Sequence, residues 1–531
     1  MSSPQAHSPN RQWFRPPSMD VPPDVRERCA TDIVAGAIEG VLGCEVVSVE
    51  VNSTGEMLPA PGAYSGEMVV GLPEYCDVRL RHETPGGHVA DVVVWVPLVP
   101  SGRFIGLGGG GNRPGGATLM CDVPGPVPAM TLPIGIRNGF AVATTDGGNK
   151  DQRMVDWALD VSTGEIDRDL VENWVHRSTH DMTVLAKLVV EAIWGRPLDY
   201  SYFFGASGGG RQALMEAQRY PEDYDGIWSF DPVLYYSKLY PAEFWPAMVM
   251  LHHDNALPVA KLEAFRQAAV LAAGGSTESG ANFVPLDVAP AFDAFALVGS
   301  NTDAGTITAL DATVMAEIWD GPRDADGTSL WFGLRPGARS WGSIVGLANV
   351  KESEAGLEPD PFFIAERYLS GWVLRDPDWD WRQTTLEEYR DAFDRSVREF
   401  GWTDTDDPDL SRFRDRGGKL LLSHSHDDSV IYSQATLKYY QSVVEEMGGI
   451  ETTTSFARLF MPLGADHCSF PGEAPGLMLA QTMATLMSWV EEGVAPVALD
   501  TERWSSDGTE LLATDSVAVY GLAENAAGLR N

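Results

Sequence analysis

Apolar and polar positions alternate along residues 45–51 and 76–82, the period-two pattern of half-buried strands. Residues 92–96 form a continuous apolar run, mostly valine, which suits a strand covered on both faces. Arg103–Leu107 and residues 140–144 are further strand candidates. The first runs into Gly108-Gly109-Gly110-Gly111, and the second ends at Asp146-Gly147-Gly148. Over residues 180–194 the period lengthens: Met182, Leu185, Leu188, Val189 and Ile193 share one helical face, and Gly195-Arg196-Pro197 stops the helix. Residues 200–204 read as a strand, followed by a glycine-dense turn and a helix over 212–219. Strand, tight turn and helix alternate, which predicts an α/β fold with a mainly parallel sheet flanked by helices.

The rhythm stops after Asp231. Residues 232–405 are rich in Trp, Pro, Gly and Asp; helical stretches at 259–273 and Leu386–Phe400 stand between loops without βα repeats. This segment reads as a large inserted lid domain between two parts of one core, 24–231 and 406–497. In the second part Lys419–Ser423 is a strand, 433–447 a helix, 455–460 a last strand and 477–491 a last helix. Residues 1–23 read as a flexible Pro-rich arm. Residues 498–531 are an acidic C-terminal extension to which the pattern assigns no place.

Charge narrows the function. With 38 basic and 75 acidic side chains the net charge is −37, and no local basic stripe offsets it, which excludes a nucleic-acid partner. No run approaches the roughly 18 apolar residues of a membrane span. The first 28 residues lack the apolar centre of a signal peptide, so no membrane partner and a cytoplasmic location are expected. Five cysteines leave at least one thiol outside any intrachain pair.

Gly205-Ala206-Ser207-Gly208-Gly209 is a G-x-S-x-G pattern between a strand and a helix. A nucleophile there sits on a turn tight enough to lift its Oγ above the sheet, and small neighbours are required because the backbone crowds. Ser207 is the expected nucleophile, with the Gly208 N–H as one oxyanion donor. Serine needs a base and an orienting acid, which in this fold class follow in the order acid, then histidine. His467, in the loop between the last strand and the last helix, fits the base. The loop after Lys419–Ser423 holds Asp427 and Asp428, and Asp428 is the chosen acid. Gly110 and Gly111 sit where a second oxyanion donor is expected. The glycine loop has neither G-x-x-x-x-G-K-[ST] nor G-x-G-x-x-G spacing, so it does not read as a phosphate cradle. His424 and His426 are two apart and would need further ligands, so neither a metal nor a cofactor is expected.

These residues resemble the tannase and feruloyl esterase family of α/β-hydrolases. The resemblance runs from about Cys29 to Pro496. It includes LPEYC at 72–76, GRFIGLGGGG at 102–111, FAVATTDGG ending at Gly148, and His180. The longest match is YFFGASGGGRQALMEAQRYPEDYDGI at 202–227; GGKLLLSHSHDDSVI at 417–431 and ADHC at 465–468 complete it. It implies a serine carboxylic ester hydrolase that works through an acyl-enzyme. Its expected partner is a small-molecule ester of an aromatic acid such as gallate or a hydroxycinnamate, with a lid shaping the acyl pocket. An acyltransferase, or a hydrolase of lactones, amides or thioesters, would use the same triad. The family's cysteine before the nucleophile is Ala206 here, so Cys468 is expected to be a thiol; the resemblance also implies an N-terminal Cys29–Cys76 bridge. The family's calcium loop corresponds to residues 272–282, whose single carboxylate is Glu278, so that site is expected to be lost. The acidic stretch 320–327 reads as a polar turn. Of the lid aromatics Trp245, Trp319, Trp331, Phe332 and Trp341, most are expected to be lid core. Arg211 is expected to anchor the helix start.

Overall fold

The computed structural model describes residues 23–123, 129–150, 156–274, 292–342, 346–354, 356–469, 474–505 and 508–521. The arm up to residue 22, and Glu278 with most of the stretch compared to a calcium loop, lie outside these residues.

Nine strands form the main sheet: β1 Cys44–Asn52, β2 Tyr75–Glu83, β3 Val89–Pro97, β4 Arg103–Leu107, β5 Ala141–Thr145, β6 Tyr200–Ala206, β7 Gly226–Phe230, β8 Lys419–Ser423 and β9 Ala457–Phe460. Their spatial order is β1-β2-β3-β5-β4-β6-β7-β8-β9. The first three pairings are antiparallel, and all pairings from β5–β4 to β8–β9 are parallel. The register aligns the carboxyl ends: Ala206 lies beside Phe230, Phe230 beside Ser423, and Ser423 beside Phe460. Residues that follow these four strands therefore share one edge, where open α/β sheets carry their sites.

Both faces of the sheet are covered, which explains the apolar run in β3. Helix α1 (Ser178–Trp194) buries Met182, Leu185, Val189 and Ile193, the stripe the sequence pattern marks, and Gly195 ends it in the left-handed region at φ 66°. Helix α2 (Gly208–Arg219) starts four residues before the sequence pattern placed it. Three consecutive glycines are poor helix formers, but packing overrides propensity here. A Cβ on Gly208 would stand 2.1 Å from Gly111 O, and one on Gly210 2.6 Å from Phe230 O. The last sheet strand begins at Ala457 rather than 455, because Ile450–Thr454 form a helical turn just before it.

The segment between β7 and β8 adds no strand to this sheet among the described residues. Its first helix, α3 (Tyr236–His252), is buried along most of its length. Tyr236 packs 4.7 Å from Trp174 and 5.2 Å from Tyr368, so aromatic rings join the segment to the core.

The C-terminal extension does have a place. Ala498–Trp504 (β10) and Leu511–Ala518 (β11) form an antiparallel hairpin that also pairs with Gly476–Leu477. The Tyr520 N–H then donates to Leu459 O at 2.9 Å. Helix α4 (Ser433–Glu446) follows the loop after β8, and α5 (Leu479–Glu492) covers the sheet with Met483 and Leu486.

Cys29 and Cys76 are bonded across a sequence separation of 47. Closing a loop of that length constrains the unfolded chain by about 4 kcal/mol in the chain-entropy account. Replacing both by serine is expected to lower the melting temperature by roughly 3 to 4 °C for a chain of this size. Turnover should persist, because three strands separate β2 from β6. Thermal denaturation with a parallel activity assay checks this; loss of turnover in folded protein would contradict it.

Candidate active site

Ser207 occupies the turn between β6 and α2 at φ 59°, ψ −121°, a strained conformation for a residue with a side chain. Backbone bonds hold the turn. The Ser207 N–H donates to Phe230 O at 2.8 Å, and Ser207 O accepts from the N–H groups of Arg211 at 3.1 Å and Val233 at 3.2 Å. The turn is tight enough that a Cβ on Gly205 would lie 2.1 Å from Gly209 O. Arg211 anchors the helix start: its guanidinium donates to Val175 O at 2.6 Å and Trp174 O at 2.7 Å, and stacks 3.9 Å over Trp174.

The glycine loop after β4 lies against the first turn of α2. The Gly108 N–H donates to Phe204 O at 3.0 Å, and the Gly109 N–H to Gln212 Oε1 at 3.0 Å. Gln212 is held in turn by Thr179 Oγ1, which accepts from its Nε2 at 2.8 Å. Gly110 bridges to Arg113, its carbonyl accepting at 3.3 Å. Gly111 follows at φ 58°, with its carbonyl against Gly208.

The loop after β8 and the loop after β9 meet beside this turn. His467 Nδ1 and Asp428 Oδ2 are 2.6 Å apart. The other carboxylate oxygen, Oδ1, accepts the N–H groups of Val430 and Ile431, each at 2.8 Å. His424 Nε2 lies 3.2 Å from Asp428 Oδ2. Burial disfavours charge on Asp428, but His467 and the bond from His424 outweigh it and hold the carboxyl well below its usual range. Burial likewise opposes charge on His467, and the Asp428 carboxylate overcomes it and raises the imidazole. Asp427 faces elsewhere: its Oδ1 takes Arg335 Nε at 3.2 Å and lies 3.1 Å from His426.

His424 and His426 do not converge on a common point. His424 Nδ1 lies 2.6 Å from Thr436 Oγ1, whereas His426 belongs to the Arg335–Asp427 group. Asp231, His424 and Asp428 lie close enough together to surround an ion. Their atoms are already engaged, the carboxylates by peptide N–H groups and His424 by Thr436.

Cys468 carries no disulfide, in line with Ala206 at the position of a partner cysteine. Its Sγ lies 3.4 Å from His467 Nε2, and burial pushes the thiol up to about 11, so it stays protonated.

The sequence motifs do not mark Asp231. It directly follows β7 at φ 44° and is fully buried. Its carboxylate accepts from Ser425 N–H at 2.6 Å, from Ser425 Oγ at 2.8 Å and from the Cys468 N–H. It therefore ties the acid loop to the histidine loop, 3.9 Å from His467 Nδ1. Burial pushes its carboxyl up to about 6. An acid placed directly after a parallel strand next to the nucleophile strand is the signal that could have found it.

Of the inserted aromatics, Trp245, Trp331 and Trp341 are core, as expected for most of them, and Trp319 and Phe332 pack against it. Trp319, Trp331 and Phe332 line a cavity of about 940 Å³ with Arg335 and Lys438, and none of Ser207, Asp428 and His467 borders it. The stretch 320–327 is a turn in which Arg323 bonds Asp320 and Gly327 O.

A mainly parallel sheet with a serine on a strained strand-to-helix turn, and a histidine–aspartate pair at the same edge, defines an α/β-hydrolase. The tannase and feruloyl esterase profile matches residues 80–521, and the chain belongs to this family of carboxylic ester hydrolases. A relative from Arthroderma benhamiae, named a probable feruloyl esterase, is 34% identical over 493 residues, covering 91% of this chain and 88% of its own. Feruloyl esterase B of Aspergillus niger is 26% identical over 82% of this chain and 81% of its own. Among solved structures, the tannin acyl hydrolase from Aspergillus niger superposes with a TM-score of 0.77 at 21% identity, over 94% of both chains. Feruloyl esterase B from Aspergillus oryzae gives 0.73 at 20% identity, over 94% of this chain and 96% of its own. These two establish the likeness of fold.

Proposed function

We propose that the chain hydrolyses carboxylic esters of phenolic acids through an acyl-enzyme on Ser207. The observation that carries this is that Ser207 on its strained turn and the 2.6 Å His467–Asp428 pair stand at the same edge of the sheet. In this reading His467 Nε2 takes the Ser207 proton as Oγ attacks the ester carbonyl. Asp428 fixes the proton on Nδ1 and stabilises the imidazolium. The N–H of Gly208, with one from the Gly110-Gly111 stretch, receives the oxyanion, since the Gly108 and Gly109 N–H groups are already engaged. His467 returns its proton to the departing alcohol; water then attacks the acyl-enzyme by the same route and releases the acid.

Residues 232–405 act as the lid. Two observations support this: α3 starts six residues after the end of β7, and Tyr240 Oη donates to Asn112 Oδ1 next to the glycine loop. The phenolic acyl group rests on the likeness to relatives named feruloyl esterases. Incubating the protein with methyl esters of hydroxycinnamic and gallic acids, and separating the products by chromatography, tests the reading. Release of the free acid is expected. Turnover of simple aliphatic esters with none of the phenolic ones would contradict the substrate class.

A further inference from the structure

Glu243 lies on α3, one helical turn after Tyr240 and on the same face. Two bonds set this helix between the loops of the site. Tyr240 Oη donates to Asn112 Oδ1 at 3.0 Å, beside Gly111, and Tyr432 Oη donates to Ala242 O at 2.8 Å, four residues after Asp428. Glu243 is 1% exposed, and its Oε2 is buried with no hydrogen-bond partner among the described residues. Asn112 Nδ2 is also buried and unpartnered. Buried polar atoms are nearly always paired, so two orphans on neighbouring elements beside a candidate active site mark a place that a ligand completes.

The chemistry of the pair restricts that ligand. Burial pushes the Glu243 carboxyl well above its usual range, and the Asp428 charge adds to the effect while His467 opposes it, which favours the protonated acid. It offers one O–H donor and a carbonyl acceptor, while Asn112 offers an N–H donor. That set matches hydroxyl groups, which both donate and accept.

We propose that Glu243, with Asn112 as a second polar point, is a specificity residue that hydrogen-bonds a ring hydroxyl of the acyl group, an inference that rests on the esterase reading above. A site built to pair a hydroxyl discriminates strongly against an analogue lacking it, because its own polar atoms are then left unpaired.

The test compares methyl 4-hydroxycinnamate with methyl cinnamate, using wild type, Glu243→Leu and Glu243→Gln. Wild type is expected to favour the hydroxylated ester at least tenfold in kcat/KM. Glu243→Leu should shrink that ratio tenfold or more, and Glu243→Gln, which keeps a carbonyl acceptor, should restore part of it. A purely structural role would lower both esters in parallel and leave the ratio where it was, which overturns the proposal. The wild-type ratio is decisive even if the leucine variant folds poorly, since a ratio near one overturns the proposal without any variant. Hydrolysis of both esters with an unmoved ratio removes only this inference. Hydrolysis of neither removes the phenolic-ester reading as well.

Discussion

Ser207→Ala is expected to lower ester turnover by roughly 10⁵- to 10⁶-fold, the scale seen when a serine hydrolase loses its nucleophile. The fold should survive. The bonds that shape the turn, from Ser207 N–H to Phe230 O and from Arg211 and Val233 to Ser207 O, are all main-chain bonds that alanine keeps. Alanine also keeps the strained positive φ, so the strain is not relieved. Steady-state kinetics on the purified variant, with a melting curve beside wild type, checks both halves. Turnover within tenfold of wild type would remove Ser207 from the mechanism.

Asp428→Asn is expected to cost about 10⁴-fold in kcat, by tautomer as much as by charge. Oδ1 of Asp428 accepts two peptide N–H groups, from Val430 and Ile431, so an asparagine must keep its carbonyl there. Its NH₂ then faces His467 Nδ1, which becomes an acceptor, and the ring proton moves to Nε2. That nitrogen can no longer take the Ser207 proton. Asp231 does not substitute, because it is 3.9 Å from Nδ1 and engaged by Ser425 and Cys468.

The pH dependence follows with a definite sign. His467 acts as a base only when neutral, so kcat/KM falls as pH drops through its pKa. Against burial, Asp428 raises that pKa, and the acid limb of wild type should lie above the ordinary histidine value of about 6.5. In Asp428→Asn the limb should move to lower pH. A pH–rate profile of both proteins measures the shift, and an unmoved limb would mean that Asp428 does not set the charge on His467.

The residues that could be read from sequence are those whose chemistry is local. Ser207 is marked by glycines that the turn requires, and His467 and Asp428 by loops after strands with clear patterns. Asp231 and Glu243 carry no such mark. Each is an acid whose importance comes from burial and from neighbours brought in over long sequence distances: Ser425 and Cys468 for Asp231, and the loops holding Asn112 and Asp428 for Glu243. The start of α2 is masked in the sequence for a related reason. Three glycines have low intrinsic helicity, and only their contact with the loop 108–111 and with β7 makes a helical turn there the best packing. The hairpin of β10 and β11 is hidden because apolar Ala498, Leu511 and Leu512 stand exposed among its polar positions, so no clean period-two pattern marks it.

Labelling with a fluorophosphonate, followed by intact-mass measurement and peptide mapping, tests most directly that Ser207 is a nucleophile activated by His467 and Asp428. A single adduct on Ser207, absent in Ser207→Ala and slowed by orders of magnitude in Asp428→Asn, is the predicted result. An adduct on another residue, or none on the folded protein, would contradict it.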